Sequence, residues 1–164
     1  MASMLAAVGS AMREHGSLGA LFRRRLDASD ADTMPAAARF VEFLRCRSGG
    51  FRQCLLPSPE SGSACKRLNL FLRWMVRADA VDTGLWRDVP PSMLVVPLDT
   101  HLFRISKRFG LTSRSSADLK TAREITGGFR RISPEDPVKY DFALTRLGIV
   151  KGARTEASRA GFCC

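Results

Sequence analysis

Two stretches of this sequence combine residue types at spacings that suit work on a charged polymer. The first, Ser61-Gly62-Ser63-Ala64-Cys65-Lys66-Arg67, sets a glycine-containing turn directly before an amphipathic run. Backbone N–H groups and the positive end of a helix dipole at such a junction can hold a phosphate, and Lys66 and Arg67 add charge beside it. Alone, such a stretch is more often an ordinary capped turn. In the second, Val95-Val-Pro-Leu-Asp-Thr-His-Leu-Phe-Arg-Ile-Ser-Lys-Arg108, an apolar approach delivers Asp99 to the head of a basic amphipathic helix. There its carboxylate can accept from first-turn N–H groups. Arg104, Lys107 and Arg108 share one side of that helix, where they suit phosphate contacts or, equally, a solvated basic face. Trp86 and His101 are candidates to line a pocket, although Trp86 can as well be core and His101 can as well bond the local backbone. Trp74 is expected in the core.

The elements that must position these residues read as helices. Met93 to Pro97 is the one β-like run, and Pro97 closes it; elsewhere apolar residues recur at helical spacing, so the fold class is all-α. A first helix is expected over Ser3 to His15. A second is capped by Ser17, and a third has Pro35 in its first turn, Phe40, Val41, Phe43 and Leu44 as its buried stripe, and Gly49-Gly50 as its stop. A helical hairpin is expected at about 55–77 and the Asp99 helix at about 98–110, ended by Gly110. Ser115 or Ser116 should cap a further helix ending at Gly127-Gly128. Ser133-Pro-Glu-Asp136 should start a last one through Leu147, with Asp136 as a first-turn charge. Residues 1–150 are read as one helical domain and 151–164 as a flexible tail.

Composition narrows the partner. The chain has 164 residues and a net charge of +10, from 26 Lys+Arg against 16 Asp+Glu, which favours an anionic partner over a neutral metabolite. No window approaches a membrane span, and no basic region precedes the apolar start, so a soluble, cytoplasmic protein is expected. The five scattered cysteines suggest reduced thiols rather than a disulfide framework.

The hairpin, its lysine and the proline-preceded Asp99-Thr100-His101 together resemble the helix-hairpin-helix DNA glycosylase superfamily. There a Leu-Pro-Gly-Val-Gly-like hairpin precedes a lysine, and a Val-Asp-Thr-His or Val-Asp-Val-His string holds the catalytic aspartate. Here the hairpin is degenerate, reading Leu56-Pro-Ser-Pro-Glu-Ser-Gly62. The separation of 33 positions from Lys66 to Asp99 exceeds the spacing of the endonuclease III-like members. It is similar to the archaeal 8-oxoguanine glycosylase branch, as are Phe71 and Met75 after the lysine. The chain more nearly resembles an uncharacterised, mostly bacterial family of hypothetical proteins. That likeness lies in Gly62-Ser-Ala-Cys-Lys-Arg-Leu-Asn69, Phe71-Leu-Arg-Trp-Met-Val-Arg77, Pro97-Leu-Asp-Thr-His101 and Pro134-Glu-Asp-Pro-Val-Lys-Tyr-Asp-Phe-Ala143, and it runs from about Ser17 to Gly148.

The resemblance implies a DNA-repair glycosylase with AP lyase activity that excises an oxidised base, 8-oxoguanine by analogy. Lys66 would be the nucleophile and Asp99 the catalytic carboxylate. Ser61, Gly62, Ser63, Arg67, Arg104, Lys107 and Arg108 would contact damaged duplex DNA. The alternative is a non-catalytic DNA- or RNA-binding helix-hairpin-helix module. No metal or cofactor is called for: endonuclease III-type iron–sulfur clusters need four cysteines at fixed spacing, which Cys163-Cys164 does not reproduce. The superfamily's N-terminal helices should precede the resembling region, so part of the N-terminal lobe is expected to be missing, with dimerisation or poor solubility as consequences. The oligomeric state is left open.

Overall fold

A computed structural model describes residues 2–49 and 56–146. The first three helices, α1 (Ala2–His15), α2 (Leu18–Arg25) and α3 (Thr33–Arg47), pack against one another. Their starts are set by short polar side chains. Ser17 Oγ accepts from the Ala20 N–H at 3.0 Å and Asp32 Oδ1 from the Met34 N–H at 2.8 Å, each filling a donor that the helix leaves unpaired. α1 turns Ala7 and Ala11 inward, α2 Leu21 and Phe22, and α3 Met34, Phe40, Val41 and Leu44. Phe43 is only half-buried.

Three further helices follow, α4 (Lys66–Val76), α5 (Thr100–Arg108) and α6 (Leu119–Arg130), and their apolar faces join the same core. Among the described residues the only β-pairing is two isolated bridges, Ser63 with Asp118 and Ala78 with Thr83, so the all-α expectation holds. The Met93–Pro97 run is not a strand: Met93 ends a 3-10 turn, Pro91–Met93, and residues 94–97 pair with no strand. Leu94, Val95, Val96 and Leu98 are buried there, and Thr126 Oγ1 accepts from the Val96 N–H at 3.1 Å. That burial fixes the segment entering α5. No helix of the described residues is long and apolar enough to cross a membrane.

Several local expectations fail for reasons visible in the packing. The first arm of the expected hairpin is a single 3-10 turn, Pro59–Ser61, not a helix; residues 50–55, Gly50 and Leu55 among them, lie outside the described residues, as does the expected tail at 151–164. α6 is capped by Asp118 rather than Ser115 or Ser116. Asp118 Oδ1 takes the Thr121 N–H at 2.8 Å while Oδ2 takes Arg114 Nη2 at 2.6 Å. α6 also runs through Gly127-Gly128, because a Cβ at Gly128 would stand 2.8 Å from Leu111 Cδ2: this glycine permits close packing rather than ending the helix. Residues 133–140 form successive turns, and helix begins only at 141, continuing to 146, the last described residue; Leu147 lies beyond it.

The reason for that late start is a buried ion cluster. Arg73, in the last turn of α4, and Arg77, its C-cap, point inward to four aspartates. Arg73 reaches Asp82 and Asp141, both at 3.3 Å. Arg77 holds Asp136 through Nε at 2.9 Å and Asp79 through Nη1 at 2.8 Å, and it also pairs with Asp82. Asp136 is therefore spent on a partner 59 residues away rather than on a helix dipole. Because Arg73 and Arg77 take buried positions, Trp74 is turned outward and is 46% exposed, against the expected core placement.

Candidate active site

Lys66 and Asp99 each stand at the head of a helix, and the two heads meet. Lys66 opens α4 and Asp99 is the N-cap of α5. Their side chains approach to 3.4 Å, Nζ to Oδ2, with the lysine 48% and the aspartate 17% exposed. Asp99 divides its two oxygens, since Oδ1 accepts from the Leu102 N–H at 2.7 Å. Helix cap and lysine partner are thus one residue, not competing alternatives. The cap bond fixes the carboxylate, and Oδ2 is left to face the amine. An ion pair this long and this open adds little stability, about 0–1 kcal/mol; what Asp99 contributes to folding is its cap bond to α5.

The turn before Lys66 is built from its own residues. Ser61 N–H donates to Ser58 O at 3.1 Å and Gly62 N–H to Pro59 O at 3.0 Å, while Gly62 O accepts from the Leu119 N–H at 2.9 Å. The amides of Ser61 and Gly62 are thereby used inside the turn, which corrects the expectation of free N–H donors there. Among the described residues, donors without a partner lie one step on. The N-cap of α4, Cys65, makes no side-chain cap bond, and Lys66, Arg67 and Leu68 form the first turn behind it. Ser61, Gly62, Ser63 and Arg67 are all exposed around this point.

α5 carries the basic face expected of it. Leu102, Ile105 and Ser106 are buried while Arg104, Lys107 and Arg108 are exposed. His101, in the first turn beside Asp99, is half-buried with Nδ1 3.4 Å from Arg104 Nη2. Trp86 is placed differently. Its ring packs on Phe22 and Phe71, with centroids 5.3 Å away in each case, and a Cβ at Gly19 would stand 2.7 Å from its Cδ1. That position is between α2 and α4, and the half-buried ring also lines a cavity of about 130 Å3 with Ser17, Gly19 and Asp88, in whose wall neither Lys66 nor Asp99 stands.

Cavities lie on several sides of the described residues. One, of about 360 Å3, is lined by Asp32, Val95, Arg123, Thr126 and Arg130; another, of about 200 Å3, is apolar and has Arg67 on its wall. The Lys66–Asp99 pair lies outside both walls. Among the described residues no group of His, Cys, Asp and Glu is arranged to hold a metal ion. Sequence reasoning missed Asn69, which is buried behind the Lys66 turn, and the Arg73–Arg77 cluster. The signal for both was available, as polar residues inside the apolar face of α4.

The family comparison gives a definite result. The chain belongs to the family described as protein of unknown function (DUF2400), whose profile matches residues 1–150. No curated protein and no solved structure matches it.

Proposed function

We propose that this protein is a DNA glycosylase with AP lyase activity, acting on an oxidised base, with 8-oxoguanine the first substrate to test. The observation that carries the reading is the 3.4 Å approach of Lys66 Nζ to Asp99 Oδ2 at the junction of two helix heads. In this reading the basic face of α5 and the open start of α4 hold the DNA backbone, and the damaged nucleotide is turned out of the stack. Asp99 Oδ2 accepts the proton of the Lys66 ammonium. The free amine attacks C1′, and the N-glycosidic bond breaks with its electron pair leaving on the base, which takes up a proton. Opening of the sugar ring gives a Schiff base, and β-elimination then expels the 3′ phosphate. Hydrolysis returns the lysine.

The test is a duplex carrying one 8-oxoguanine, followed for base release and for borohydride trapping. Wild type should do both. Lys66→Gln should lose trapping, and Asp99→Asn should slow base release by about 100-fold or more, as expected for a group acting on the proton in flight. Salt-sensitive binding of duplex with neither base release nor trapping assigns the protein instead to the non-catalytic DNA- or RNA-binding class.

A further inference from the structure

Among the buried polar side chains that the chemistry above leaves unused, Asn69 lies on the helix that Lys66 opens. Asn69 is 1% exposed, on the inward side of α4, where Leu68, Leu72 and Val76 supply the apolar packing. A buried amide is costly unless it is bonded. Asn69 Nδ2 donates to Ala64 O at 2.9 Å, so the side chain reaches back over the start of its own helix. What it holds there is unusual. Cys65, between Ala64 and Lys66, is the one non-glycine among the described residues with a left-handed backbone, at φ 46°. A residue with a Cβ resists that conformation.

Four bonds hold the turn in place. Besides the Asn69 amide, Ser63 Oγ accepts from the Cys65 N–H at 3.3 Å, Cys65 O accepts from the Asn69 N–H at 2.9 Å, and Cys65 Sγ reaches Pro57 O at 3.6 Å. Lys66 is the next residue, so the turn at Cys65 sets the direction in which its side chain leaves α4. A Cys65 that relaxed to an ordinary backbone would redirect the first residue of the helix and carry Nζ away from Asp99. We infer that Asn69 is a positioning residue: by pinning Ala64 O it holds Cys65 left-handed and so keeps the Lys66 amine facing the Asp99 carboxylate. The geometric claim stands on the turn itself, and its catalytic meaning rests on the glycosylase reading.

A zero-length carbodiimide cross-link reads the geometry without DNA. It joins the Lys66 amine to the Asp99 carboxyl as an amide, the carbodiimide taking up the water, and peptide mass spectrometry counts the product. Wild type should give the Lys66–Asp99 linkage. Asn69→Leu, similar in size but lacking the donor, should lower the yield about fivefold or more at unchanged helix content, because the amine is no longer preorganised. Adding Cys65→Gly to Asn69→Leu should restore the yield to within about twofold, since glycine adopts the left-handed turn unaided. A general loss of structure would not be rescued in this way. If Asn69→Leu does not fold, Asn69→Ala is read by the same criteria. An unchanged yield, or a loss that Cys65→Gly leaves in place, overturns the inference. A cross-link that behaves as expected in a protein that never traps DNA retires the glycosylase reading and leaves the positioning role standing.

Discussion

Replacing Asp141 by asparagine should stabilise this protein at neutral pH, even though it removes one arm of an ion pair. Asp141 is 2% exposed, and its partner Arg73 is shared with Asp82 at the same 3.3 Å. Two guanidiniums thus serve four carboxylates. Burial pushes the Asp141 carboxyl up to about 6 against the pull of Arg73. From its ordinary 3.8, a rise of about 2 units makes ionisation cost the folded state about 3 kcal/mol at pH 7. The folded protein binds this proton more tightly than the unfolded chain does. Stability from this group therefore rises as pH falls through about 6 and levels off below the unfolded value of 3.8. Asp79 works the other way: the N–H groups of Asp82 and Val81 hold it at about 2, so its contribution is lost only in stronger acid. Urea unfolding at pH 7 should show Asp141→Asn more stable by about 1–3 kcal/mol, with the gap shrinking below about 1 kcal/mol at pH 4. A variant less stable than wild type at pH 7, or a gap independent of pH, would refute the reasoning.

Other substitutions separate stability from chemistry. Asp99→Ser keeps a good helix cap and should hold stability within about 0.5 kcal/mol, whereas Asp99→Ala should cost about 1 kcal/mol; both should lose base release, so equal activity in the serine variant would count against a role for the carboxylate. Arg77→Met leaves Asp79 and Asp136 without a guanidinium and Asp82 with Arg73 alone, and should destabilise by about 3–5 kcal/mol in thermal unfolding; a neutral result would show that the cluster does not hold the 133–140 turns in place. Gly19→Ala drives a methyl into Trp86 and should cost about 1–3 kcal/mol with a change in tryptophan fluorescence; unchanged emission would mean that the ring is looser than its contacts imply.

Much of the fold was legible because its signals are local. Ser17 before Leu18 and Asp99 before Thr100 cap the helices they were expected to cap, and the apolar run before Asp99 is buried as its composition implies. What sequence could not show depended on distant partners. Ser133-Pro-Glu-Asp136 is a good helix start by itself, but Arg77 claims Asp136 from another part of the chain. Gly127-Gly128 reads as a stop until Leu111 is found against Gly128. Trp74 reads as core because a tryptophan on an apolar helix face is more often buried, and it lies outside because Arg73 and Arg77 take the buried positions. At the candidate site, the two chemical residues were readable from type and spacing. The Asn69 amide that holds their turn is legible only as a polar residue on the apolar face of α4, three and seven residues before Leu72 and Val76; its partner, the Ala64 carbonyl, is not.

The most direct test of the central claim is to locate the covalent bond. Wild-type protein is reacted with a duplex carrying one 8-oxoguanine or one abasic site, reduced with borohydride, digested, and mapped by mass spectrometry. The account predicts a deoxyribose adduct on Lys66 that disappears in Lys66→Gln and is strongly reduced in Asp99→Asn. An adduct on another residue, or none under conditions where the protein binds the duplex, would contradict it.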